Sequence, residues 1–206
     1  MAARRTSTVQ AETGRQRREA TQGDILEATK RLLERGDSVE SLSIERIVAE
    51  AGVARRTFYL HFRDKRELIG KLAEDQIAWR EQVGAEVMSD PEVTREQIYK
   101  LLDDIVQSWV ANQSVLSAMI EVAEYDDEMR ETWDAALDVI AGNAAEHLRR
   151  RWENSPEAPP DIDAIARVVT LMLERCCHQV TRQPELQAVT TDAMAEIAWR
   201  LLDYRR

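Results

Sequence analysis

Cysteine is scarce: the 206-residue chain carries two, Cys176 and Cys177, next to each other. Adjacent cysteines close only a strained ring, so no structural disulfide is expected. Proline and glycine punctuate the chain sparsely, with 5 and 7 residues. No stretch alternates with a period of two over the length of a strand, which leaves an all-α fold. No apolar run approaches the roughly 18 residues of a membrane span. The first residues, M-A-A-R-R-T-S-T, put no apolar segment behind Arg4 and Arg5, so a signal peptide is not read there and a cytoplasmic protein is expected. Chemistry-bearing patterns are missing too. There is no glycine-rich phosphate loop, metal-ligand spacing or nucleophile motif, and His61, His147 and His178 are scattered, so neither an enzyme nor a cofactor is expected. Cys176, Cys177 and His178 are residue types that bind metals, but three successive positions on one helix point in different directions, and packing is the better reading.

Charge is plentiful and unevenly spread. The net charge is −10, yet residues 1–70 hold 14 Lys/Arg against 11 Asp/Glu, while residues 71–206 hold 14 against 27. A basic end on an acidic body suits a chain that meets a polyanion at one end only.

Residues 1–20 are polar and Arg-rich without apolar periodicity, and are expected to form a disordered arm. Thr21 and Asp24 have capping-box spacing and are expected to open the first helix, which Gly36 stops. Ser43 caps a second helix, with Ile44, Ile47, Val48 and Ala51 on one face and Gly52 at its end. Further helices are expected over residues 54–62, 64–88, 94–112, 115–124, 127–152, 161–182 and 190–204, with Pro91, the prolines at 156, 159 and 160, and Pro184 as breaks. The expected division is an arm (1–20), a helix-turn-helix domain (21–68) and a second helical domain (69–206).

Two short helices joined at Gly52 form a helix-turn-helix, whose second helix enters the major groove of DNA. At 100° per residue, Phe58 and Phe62 share the core side of that helix. Arg55, Arg56, Thr57 and Leu60 then face outward, where arginine suits the guanine edge and a methyl group suits thymine. Tyr59, His61 and Lys65 are placed for phosphates, and the amides behind Ser43 offer another phosphate site.

Residues 52–68, G-V-A-R-R-T-F-Y-L-H-F-R-D-K-R-E-L, resemble the signature of the TetR family of one-component transcriptional regulators. Its pattern of Gly-Val-Ser, Phe/Leu-Tyr-x-His-Phe and Lys-x-x-Leu is met by Gly52, Val53, Phe58, Tyr59, His61, Phe62, Lys65 and Leu68. The likeness spans about residues 21–70. More loosely, L-M-L-E-R at 171–175 and the tryptophan spacing resemble the EthR-like branch. The resemblance implies a homodimer that binds a palindromic operator on double-stranded DNA, usually represses, and lets go when a small molecule enters the second domain. By position it assigns Arg55, Arg56, Thr57 and Leu60 to bases, and Ser43, Tyr59, His61 and Lys65 to phosphates. Ala54 departs from the pattern, standing where the family often has Ser or Thr. That removes a helix cap of about 1 kcal/mol.

The resemblance further implies a pocket enclosed by the fourth to seventh helices and walled by the eighth. Trp109, Met119, Trp133, Met172 and Cys176 are the lining candidates, for a small apolar or aromatic effector. The acidic run Glu121, Glu124, Asp126, Asp127, Glu128 and Glu131 reads as a solvated loop, with attraction of a cationic effector as the sharper option. The eighth helix is apolar on two sides and the ninth repeats Met194, Ile197, Ala198, Leu201 and Leu202, which suits a homodimer through these two helices. The alternative is a helical dimerisation or adaptor protein whose helix-turn-helix no longer binds DNA.

Overall fold

The structure is a computed structural model that describes residues 2–90, 92–153, 156 and 158–202, with residues 2–13 described by backbone alone. The described residues form nine α-helices and no strand: α1 (Ala2–Glu34), α2 (Ile44–Ala51), α3 (Arg55–His61), α4 (Lys65–Ser89), α5 (Arg95–Ala111), α6 (Gln113–Ala123), α7 (Asp127–Arg151), α8 (Ile162–Arg182) and α9 (Gln187–Leu202). A 3-10 turn at Pro184–Leu186 leads into α9. Met1, Pro91, three residues of the proline-rich loop (154, 155 and 157) and residues 203–206 lie outside the described set.

The helices start where polar side chains take up free amides. Ser43 Oγ accepts from Arg46 N (3.2 Å), and Asp64 accepts from Arg66 N (2.9 Å) and Glu67 N (3.0 Å). At Thr94 the capping box is complete, with Gln97 N donating to the hydroxyl and Thr94 N to the Gln97 side chain. Gly52 ends α2 at φ 67°, in the left-handed region that side chains strain to adopt.

One expectation fails at the N-terminus. Residues 2–20, expected as a disordered arm, are helical, and no helix starts at Thr21: α1 runs unbroken from Ala2. Thr21 Oγ1 donates to Arg17 O (3.0 Å), one turn back, and so serves the helix it was expected to open. Upstream stand Arg, Glu, Gln and Ala, good helix formers, among weaker ones at Thr6, Ser7, Thr8, Val9, Thr13 and Gly14, but no proline breaks the run. A capping box needs a chain that arrives non-helical, and nothing there makes it so.

One continuous apolar core joins the two ends of the molecule. α1 packs on α2 and α6, α4 on α7, α7 on α8, and α5 on α9. α4 therefore belongs to both halves. Its first turn buries Leu68 and Ile69 beside the helix-turn-helix, while its later turns lie against α7. Gly70 lets these helices approach: a Cβ there would meet Met129 Cε at 3.2 Å.

Candidate nucleic-acid interface and cavity

Phe58 and Phe62 are 0% and 2% exposed, their rings 5.6 Å apart. Fully burying each contributes about 1.5–3 kcal/mol. Together they clamp α3 so that its opposite face turns outward. Leu60 is 61% exposed and Tyr59 48%. Arg55 and Arg56 are exposed, and Thr57 and His61 are half-buried. Ala54 begins α3 without any side-chain cap bond, as its missing hydroxyl requires.

The outward side chains are not all free. Arg55 pairs with Glu45 of α2 (2.7 Å) and reaches the Tyr59 hydroxyl (3.4 Å). The Tyr59 hydroxyl first, then the Glu45 charge, hold its guanidinium further toward the charged form. Arg55 and Glu45 are both solvent-exposed, so the pair is weak enough to exchange for a stronger acceptor. Burial, and secondarily the Arg18 charge, push the His61 imidazole below its usual range, so it is a neutral group at pH 7. Ser43 keeps its hydroxyl proton, because its cap bond uses only the oxygen lone pair.

Lys65 lies elsewhere than expected. Its ammonium donates to Val39 O (2.8 Å) and Leu42 O (2.5 Å), tying the α1–α2 loop to the start of α4. A residue that no motif signalled also reaches α3: Arg18 Nη2 donates to Leu60 O (3.0 Å), one of the carbonyls a helix end leaves unpaired. Unbroken continuation of α1 puts it there.

Glu124, Asp127, Glu128 and Glu131 of the acidic run are exposed, as a solvated run would be, but part of the run is also a docking edge. Glu121 accepts from Val39 N (3.3 Å) and Glu40 N (3.2 Å). Asp126 caps α7 through Met129 N (2.9 Å) and accepts from Arg66 (2.5 Å), while Glu128 pairs with Arg63 (3.3 Å). Three of its carboxylates thus hold the helix-turn-helix end against the α6–α7 corner.

A cavity of about 150 Å³ opens among α4, α5, α7, α8 and α9. Of the five expected lining residues, only Trp109 is on its wall. Met119 is fully buried in the core of α6. Trp133 stands behind Trp109, edge to face at 6.2 Å. Met172 and Cys176 occupy other faces of α8, and Val169, Leu173 and Cys177 line the wall instead. A helix advances 100° per residue, so on a helix apolar on two sides, periodicity does not choose between Cys176 and Cys177. Burial pushes the Cys177 thiol up to about 12, which makes it a protonated packing group. Among the described residues no cluster of three or more His, Cys, Asp and Glu is placed to hold a metal.

The sequence reading also missed Arg80. It lines the cavity at 7% exposure, its guanidinium 5.1 Å from the Trp109 ring centre and 5.2 Å from that of Trp133. Burial lowers its pKa to about 10, with the Glu174 and Glu81 charges acting the other way. It stays cationic at neutral pH.

The outer surface of α8 carries Ala164, Val168 and Leu171, and that of α9 carries Val189, Ala193 and Ile197. Val168, Val189 and Ile197 are 64%, 61% and 42% exposed. Their opposite faces, with Ala166, Cys177, Met194 and Leu202, are in the core. No described helix is long and apolar enough to cross a membrane.

Comparison with known proteins agrees with this geometry. Residues 25–72 match the family model described as "Bacterial regulatory proteins, tetR family". That span is α1 from Ile25 through the second turn of α4. No curated protein matches the sequence. Several solved structures share the fold over nearly the whole chain. NalD, the secondary repressor of the MexAB-OprM multidrug efflux pump in Pseudomonas aeruginosa, is 23% identical with a TM-score of 0.71, over 89% of this chain and 96% of its own. The TetR family regulator PfmR from Thermus thermophilus is 19% identical, TM-score 0.65, over 87% and 96%. A TetR-like regulator from a Rhodococcus species is 18% identical, TM-score 0.64, over 87% and 94%.

Proposed function

We propose that this protein, whose helix-turn-helix end matches the tetR regulators, is a ligand-responsive transcriptional regulator of the repressor kind. It binds a palindromic operator as a homodimer and leaves it when a small molecule fills the cavity. The observation that carries the reading is α3, pinned by Phe58 and Phe62 so that Arg55, Arg56 and Leu60 stand clear of the protein. Arg55, Arg56, Thr57 and Leu60 read bases; Ser43, Tyr59 and His61 fix the register on phosphates. Lys65 acts mainly through the loop that it holds. Two copies meet through the apolar faces of α8 and α9, which sets two recognition helices on successive half-sites. Within the family, the tryptophan spacing points to the EthR-like branch.

Release follows from α4. The same helix carries the helix-turn-helix at its start and the cavity wall at Arg80 and Met88. A ligand that shifts α4 against α7 re-aims α3 through Arg66–Asp126 and Arg63–Glu128.

The test is fluorescence anisotropy with duplexes from the protein's own genomic neighbourhood. Sub-micromolar binding to a palindrome is expected, with log affinity falling linearly as log salt rises. Failure to bind any such duplex at low salt refutes the reading in favour of a helical adaptor.

A further inference from the structure

Arg80 has too few partners for so buried a charge. A guanidinium offers five N–H donors. Among the described residues only Nε is bonded, to Gln76 O at 3.3 Å. It forms an ion pair with no carboxylate of those residues. Trp109 and Trp133 stabilise the charge through their ring faces at 5.1 and 5.2 Å, but ring faces do not replace in-plane hydrogen bonds. Glu174 and Glu81 also line the cavity without touching Arg80. Burial pushes the Glu174 carboxyl up, toward its neutral form, which weakens it as a counter-charge.

Apart from Asn143 and Thr170, the rest of the wall is apolar, with Met88, Ile105, Leu137, Val169 and Leu173 among its side chains. A fixed, planar cation in such a wall matches a carboxylate, which accepts two parallel N–H bonds from the guanidinium fork. The space available, about 150 Å³, equals that of an engineered apolar cavity that admits benzene, also about 150 Å³.

We propose that the cavity takes a small monocarboxylate whose apolar body is about the size of one aromatic ring, its carboxylate paired with Arg80 and its body against Trp109. The regulatory meaning of this site rests on the function proposed above; the ligand chemistry does not.

The test uses three isosteric probes on the full chain: benzoate, benzamide and benzamidine, followed by titration calorimetry. Benzoate is expected to bind about tenfold or more tighter than benzamide, the scale of a charge-assisted pair, with benzamidine weakest. In Arg80→Met that preference disappears, through loss of benzoate binding while benzamide is little changed. Arg80→Met is also expected to unfold at or above the wild-type temperature, because it removes a buried, unmatched charge. Arg80→Lys retains a preference for benzoate over benzamide, smaller than that of wild type because the planar fork is gone, and decides the question should the methionine variant not fold.

Equal binding of benzoate and benzamide overturns the proposal. So does tighter binding of benzamidine, survival of the full benzoate preference in either variant, or no binding of any probe at millimolar concentration. DNA binding is read separately on the wild-type protein. Selective benzoate binding by a chain that binds no operator leaves this inference standing and overturns the proposed function. Operator binding without charge discrimination overturns this inference alone.

Discussion

Replacing Lys65 with methionine separates two roles that one ammonium group can fill. Its position in the sequence suits a phosphate contact, whereas its bonds in the structure go to Val39 O and Leu42 O, at 2.8 and 2.5 Å. Val39 and Leu42 are 2% and 1% exposed, so water replaces the missing donors poorly. A hydrogen bond from a charged donor contributes about 1.5–3 kcal/mol. Lys65 is half-buried, and partial rehydration brings the pair to about 2–3 kcal/mol in Lys65→Met. For a chain of this length about 1 kcal/mol moves the unfolding midpoint by roughly 2–4 °C, so calorimetry should show a fall of about 5–10 °C. Each phosphate that a cation neutralises on duplex DNA adds about 0.9 to the steepness of log affinity against log salt. The tie to Val39 and Leu42 predicts a slope change of well under half that. A full phosphate's worth of slope with an unmoved midpoint would refute the reasoning and return Lys65 to the phosphate backbone.

Arg56→Ala should flatten the preference among operator variants, by about 1–3 kcal/mol at one base position, while Tyr59→Phe weakens all sequences alike; equal losses everywhere from both would end the division of roles. Acid should destabilise the fold through His147. Its Nδ1 donates to Met88 O (2.7 Å) and its Nε2 is buried without a partner, so burial holds its pKa below the ordinary 6.5. The unfolded chain binds the proton more readily, so stability is present above about pH 6.5, falls as pH drops toward the folded pKa, and stays low below it. His61 and His178 shift in the same direction, so His147→Gln should make the pH profile of the unfolding midpoint shallower without flattening it; an unchanged profile counts against this account. Val168→Glu combined with Ile197→Glu should give a monomer by sedimentation, and a persistent dimer would move the interface away from α8 and α9.

Much of the fold was legible in the chain because its signals are local. Ser43, Asp64 and Thr94 cap helices by bonds to amides two or three residues away, and Gly52 answers to its own φ. Phe58 and Phe62 share a side because helices turn by 100° per residue. The outer face of α3 follows from the same periodicity.

The misreadings have the opposite character. Thr21 bears a capping pattern, but whether it caps depends on what the preceding residues do. Lys65 and the acidic run around Asp126 look like free charges until the chain brings a carbonyl pair and an arginine to them from residues 23 to 60 positions away. Cys177 replaces Cys176 on the cavity wall because the four other helices of the cavity meet α8 at one side.

The order of residues alone sets the later helices, their caps, the turn at Gly52 and the face of α3 that stands outward, since each depends on neighbours within one or two turns. Which charges are spent inside the protein, and which remain for a partner, is settled only once the chain has folded. Arg66 and Lys65 are spent on the protein's own acceptors, Arg56 stays exposed, and Arg80 is buried with most of its donors open. Electrostatic partnership is set by distance through space and by burial, and neither quantity is carried by position along the chain.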